Sequence, residues 1–124
     1  MEEYKLWLKK AHDDLRWTKH NIETKEYSGA CFSAQQAAEK ALKAFTVLHN
    51  KQLKKIHDVE ALLESCLKID SKFGALKRSA KILFPYYVET RYPLGEELVS
   101  FDKLKANEAY LAASEIVNFV EGRI

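Results

Sequence analysis

Glycine and proline are scarce in this chain, with four and two copies among 124 residues. Average usage of the pair is about 12% of positions, so the sequence holds less than half of that. Strands joined by tight turns draw on these residues. The deficit argues against a multi-stranded sandwich or barrel and for a few long helices. An excess of one charge sign is also missing. Twenty Lys and Arg against 18 Asp and Glu leave a formal net charge of +2, which excludes a strongly basic nucleic-acid coat and an acidic disordered tail. There are only two cysteines, Cys31 and Cys66, and no Cys-x-x-Cys, so neither a zinc knuckle nor a thioredoxin-like site can be built. The longest stretch free of Asp, Glu, Lys and Arg runs from Tyr27 to Ala38, far short of the roughly 20 residues of a membrane span. Met1-Glu2-Glu3-Tyr4-Lys5 lacks a basic-then-apolar leader. The expectation is a protein of the reducing cytoplasm with both cysteines as small buried hydrophobes.

What is present fits a single domain over residues 1–124, with 47% apolar residues to supply its core. From Glu2 to Lys25 the residues Tyr4, Trp7, Leu8, Ala11, Leu15, Thr18 and Ile22 recur at steps of three and four, the mark of a helix with one buried stripe. From Tyr27 to His49, a stripe of small residues (Ala30, Ala34, Ala37, Ala38, Ala41, Ala44) lets a neighbouring helix come close. Ser28 is expected to cap this helix. Lys51, Lys54 and Lys55 read as a loop, and Asp58 as the N-cap of a shorter helix holding Val59, Leu62, Leu63 and Leu67. A fourth helix starts near Asp70 or Ser71, and Pro85 should break it. The last begins near Ser100 or Asp102, buries Leu104, Ala109, Tyr110, Ala113, Ile116, Val117 and Val120, and ends at Gly122. The predicted architecture is all-α: an up-and-down four-helix bundle with an additional short helix.

Folding the first helix back on the second around residue 26 brings Asp14 level with Gln36 to Lys40, at about 1.5 Å of rise per residue. An inward carboxylate needs a partner. The register predicts an Asp14–Lys40 contact with Gln36 nearby, in a helix-orienting role. The same topology gathers His49, Lys51, Lys54, Lys55, His57, Asp58, Arg91 and Tyr92 at one end of the bundle. Charge is uneven along the chain, with a net +4 over residues 51–81 and −3 over residues 82–124.

Metal chemistry finds no support. No acidic residue has a histidine three positions later, and there is neither His-Glu-x-x-His nor a phosphate-binding glycine loop. His12, His20, His49 and His57 show no two-ligand spacing on a helix, so no metal and no cofactor is expected. The densest unusual feature is Tyr86-Tyr87-x-x-Thr90-Arg91-Tyr92-Pro93. Arginine offers a planar fork for a phosphate and tyrosine a stacking face for a base. The other reading is a tyrosine cap on the core, with Arg91 pairing a carboxylate.

Four segments in order now carry a resemblance. They are Trp7-x-x-x-Ala11-x-x-Asp14-Leu15, then Tyr27-x-x-Ala30-x-Phe32-x-x-Gln35-Gln36-Ala37-Ala38-Glu39-Lys40-Ala41-Leu42-Lys43-Ala44, then His57-Asp58-Val59-x-x-Leu62-Leu63, then Tyr87-x-x-Thr90-Arg91-Tyr92-Pro93. Together they resemble the HEPN domain, named for higher eukaryotes and prokaryotes nucleotide-binding. The resemblance implies an all-α bundle that usually dimerises. Prokaryotic members are often encoded beside or fused to minimal nucleotidyltransferases, in pairs resembling toxin–antitoxin systems. Many members are metal-independent ribonucleases with an Arg, four to six intervening residues, then His. In that chemistry Arg stabilises the phosphorane charge and His moves the proton of the ribose 2′-hydroxyl.

This sequence departs from that motif. The positions where the histidine would fall are Glu96, Glu97 and Leu98, and no histidine follows His57. Three functional readings stay open. One is a dimeric binding module for a nucleotide or RNA, or a docking partner of a nucleotidyltransferase, with Lys54, Lys55, Tyr87 and Tyr92 as ligand-binding candidates. Another is a ribonuclease using Arg91 with His57 as the missing imidazole. A purely structural assembly protein is the third. The dimer seam is expected on the first helix or the aromatic stretch from Phe84 to Tyr92. Trp17, off the main stripe of the first helix, suggests a second apolar contact.

Overall fold

The computed structural model describes residues 2–51, 55–89 and 100–124, and these form helices and no strands. They are α1 (Glu3–Glu23), α2 (Tyr27–Leu48), α3 (Val59–Ile69), a 3-10 turn (Ser71–Leu76) running into α4 (Lys77–Leu83), a short α5 (Tyr86–Glu89) and α6 (Lys103–Arg123). The result is an all-α bundle of four main helices with one short additional helix.

With so few glycines, the helix ends are closed by other residues. Lys25 and Asn50 both take φ of 63°, the left-handed conformation that usually falls to glycine. After α1 the Glu26 N–H donates to the Asn21 carbonyl and the Lys25 N–H to Ile22. After α2 the Lys51 N–H donates to Thr46 and the Asn50 N–H to Val47. Both are Schellman closures that satisfy the last carbonyls of each helix. Gly29 acts differently: a Cβ there would lie 3.2 Å from Asn21 Nδ2, so its bareness lets α2 start close against α1.

α2 is the central helix and packs on α1, α3, α4, α5 and α6. Its alanine stripe, Ala30, Ala34, Ala37, Ala38, Ala41 and Ala44, is fully buried, as close approach requires. Thr18 on α1 meets Ser33 on α2 through a buried hydroxyl pair at 2.8 Å. On the far side the Phe73 ring packs tilted against Phe45 and edge-on against Phe119, with centroids 4.4 and 5.0 Å apart. These three rings join α2 to the 3-10 turn and α6.

Asp58 caps α3 as expected, accepting from the Glu60 and Ala61 N–H groups, and Asp102 caps α6 through Lys105. Phe84 and Pro85 separate α4 from α5, because proline supplies no N–H to continue the ladder. Three local expectations are corrected. Helix α2 begins at Tyr27 after Glu26 without a side-chain cap, so Ser28 lies inside it. Gly122 falls within the last turn of α6, which ends at Arg123. Leu104 is exposed, because the buried stripe of α6 runs through Ala106, Ala109, Ala113, Ile116, Val117 and Val120 on the opposite side of the helix.

Candidate functional site

Helix α2 carries a polar file through the core. Gln35, Glu39 and Lys43 are spaced four residues apart and share one face. Because neighbours surround α2, none of the three reaches solvent, and each is buried. Lys43 Nζ donates to Glu39 Oε2 at 2.8 Å. Gln35 Nε2 donates to the His57 carbonyl at 3.0 Å and to Glu39 Oε1 at 3.4 Å. Gln36 Nε2 in turn donates to Gln35 Oε1 at 2.7 Å. A buried ion pair needs such added bonds to offset its desolvation.

His57 closes the file from outside. Its Nδ1 lies 3.3 Å from both oxygens of Glu39, and its side chain is 47% exposed. An ionised carboxylate only accepts hydrogen bonds, so in the neutral ring Nδ1 carries the hydrogen and Nε2 presents the lone pair. The Tyr87 ring stacks on the imidazole with centroids 4.8 Å apart and planes 5° from parallel. On the other side Lys43 Nζ sits 5.3 Å from the centroid of the Trp7 ring, within cation–π range.

The expected gathering of His57 with His49 and Lys51 at one end of the bundle does not occur. His57 lies instead beside Gln35 and Glu39, near the middle of α2. α3 then runs in the same sense as α2, and Cys66 Sγ reaches the Leu42 carbonyl at 3.8 Å. His49 stays at the end of α2, its ring 4.5 Å from Phe45. Lys55 is exposed. Lys54, Arg91 and Tyr92 lie outside the described residues.

A second polar contact joins α1 to α2. Lys40 Nζ lies 2.5 Å from Asp14 Oδ2, at the register that the antiparallel pairing predicts. Burial pushes the Asp14 carboxyl above its ordinary value, and the Lys40 ammonium beside it offsets only part of that rise. Gln36 does not join this pair but turns to Gln35. Sequence reasoning passes over Glu39 and Lys43 as site residues. The signal available is an acid and a base four residues apart inside an alanine-rich run.

Among the described residues no cluster of three or more His, Cys, Asp or Glu could hold a metal ion, and no helix is long and apolar enough to cross a membrane.

The chain as a whole is similar to solved helical domains. It is similar over its full length to the crystal structure of TT1696 from Thermus thermophilus, at 32% identity and a TM-score of 0.87, with 100% of each chain covered. It is also similar to ST0689, described as an archaeal HEPN homologue, at 27% identity and a TM-score of 0.80, covering 99% of this chain and 98% of that one. A HEPN domain protein of Thermotoga maritima, tm0613, matches at 28% identity and a TM-score of 0.74, with 94% of each chain covered. No curated protein matches significantly. The HEPN domain family matches residues 4–123, and the chain belongs to that family.

Proposed function

We propose that this HEPN protein is a binding module for a nucleotide or an RNA segment, working as a homodimer and paired with a minimal nucleotidyltransferase in a toxin–antitoxin-like system. The observation that carries the ligand reading is the half-exposed His57–Tyr87 stack, held from behind by buried Glu39. Two parallel rings at the surface form a platform to which a base adds as a third layer, and such stacking is worth about 1–3 kcal/mol per base. In this reading Arg91, four residues beyond Tyr87 in the sequence, takes the phosphate. Lys54, Lys55 and Tyr92 supply the remaining charge and stacking surface. A basic stretch of net +4 over residues 51–81 supports an anionic ligand, and its attraction weakens with salt.

A second reading is favoured by one specific contact, the Glu39 carboxylate on His57 Nδ1. An imidazole oriented by a third group is the general-base arrangement. In a metal-independent ribonuclease, His57 Nε2 would take the proton of the 2′-hydroxyl and Arg91 would stabilise the phosphorane.

One experiment separates the two. Full-length protein is mixed with fluorescent single-stranded RNA or ATP in EDTA, and anisotropy and cleavage are followed together. Binding without cleavage, lost in Tyr87→Ala and Arg91→Ala, is the expected result. Cleavage lost in Arg91→Ala and His57→Ala selects the ribonuclease. Binding that survives all three substitutions removes this site from either role.

A further inference from the structure

We infer that the outer face of α1 is a two-fold seam, on which a second copy of this chain docks by seating its Trp17 against Leu6 and Trp7. The inference rests on the homodimer reading above and assigns that dimer its surface.

Trp17 is 59% exposed and Leu6 48%, two large apolar side chains on one helix face. At 3.6 residues per turn, positions 3, 6, 10, 13 and 17 fall within one arc of α1 facing away from the core. Beside Leu6 lies a groove lined by Glu3, Trp7, Lys10 and Lys40. Its walls are mainly apolar. The projecting ring and the receiving groove are on the same stripe of the same helix, about 15 Å apart at 1.5 Å per residue.

That separation identifies the occupant. In an isologous interface, residue i meets residue j and j meets i. A two-fold axis passing beside α1, level with the step from Ala11 to His12, exchanges positions 6 and 17, 10 and 13, and 3 and 20. It brings Leu6 against Trp17 of the partner subunit, Lys10 against Asp13 of the partner subunit, and Glu3 against His20 of the partner subunit. One axis thus matches an apolar pair, one pair of opposite charge and one carboxylate with an imidazole. Among the described residues Lys10 closes no ion pair within its own chain, while Asp13 pairs Arg16 through Oδ1 and Lys9 through Oδ2 and shares that carboxylate with the partner's Lys10 in the seam. The stripe is complementary to itself when reversed, which favours a second copy over an unrelated partner. The seam lies one side chain from the polar file, since Trp7 separates the groove from Lys43.

Light scattering and sedimentation equilibrium on the full chain test this. The wild type is expected at twice the 14.3 kDa chain mass. Trp17→Ala is expected to weaken the dimer about thirtyfold or more, as truncation of a central aromatic anchor does, with unchanged far-ultraviolet circular dichroism. Lys10→Glu alone is expected to give monomer, and Lys10→Glu combined with Asp13→Lys to restore the dimer. A dimer untouched by Trp17→Ala and Lys10→Glu overturns this seam and leaves the homodimer reading standing. A wild type that is monomeric at high concentration overturns both. A mass growing beyond two chains overturns the two-fold arrangement.

Discussion

Glu39 and Lys43, one turn apart on α2, form a 2.8 Å ion pair in which both side chains are 3% exposed. Two charges so far from water are held only while both are present. Lys43→Met strands the carboxylate with Gln35 and His57 as its remaining partners. Loss of one member of a buried pair costs about 3–5 kcal/mol. The double variant Glu39→Gln with Lys43→Met leaves no buried charge, and most of that loss is expected to return. Urea unfolding at constant m-value reads both effects. A single variant within about 0.5 kcal/mol of wild type, the range of ordinary surface substitutions, would show that the pair is solvated.

Asp70 and Arg123, far apart in sequence, meet through Nε at 3.0 Å and Nη2 at 2.6 Å on one carboxylate oxygen. The Arg123 bonds, helped by the Lys72 N–H, hold the Asp70 carboxyl below its ordinary 3.8. A depressed carboxylate binds its proton less tightly folded than unfolded. Its contribution is therefore complete above the ordinary value and is lost as the pH falls through the folded one. Asp70→Asn is expected to lower the melting temperature at pH 7 and to converge with wild type at acid pH, once the carboxyl is protonated in the folded state as well. A difference that persists unchanged at that pH would contradict the charge-based account.

Cys31 and Cys66 are buried, and burial pushes both thiols up to about 12. The thiolate is the reactive form. At pH 8 the native protein should react with a thiol-specific reagent only as fast as it opens, and both cysteines should react at once in urea. Rapid modification of either thiol in the folded state would overturn this expectation.

Much of the architecture was legible because its physics is local. Steps of three and four residues mark the helices, and Asp58 and Asp102 declare their caps. The Asp14–Lys40 contact is nearly as legible, since a tight turn at residue 26 fixes which residues of two antiparallel helices stand level. Leu104 shows the limit. An apolar residue at the start of a helix reads as core, yet the buried stripe of α6 is set by the helices it lies against. Ser28 shows another, since a capping residue type does not choose where a helix starts.

The candidate site was hidden for a reason of the same kind. Gln35, Glu39 and Lys43 would face water on a helix with one buried stripe. They are buried because α2 has neighbours on every side, and the number of neighbours is a property of the assembled bundle. The sequence by itself determined the helices, the α1–α2 register and the scarcity of glycine that puts Lys25 and Asn50 in left-handed turns. Only the tertiary structure decided that His57 meets Glu39 at mid-α2 while His49 stays against Phe45 at the helix end. His57 and Glu39 share no helix, so no periodicity spaces them, and their meeting is set by how the helices pack around α2.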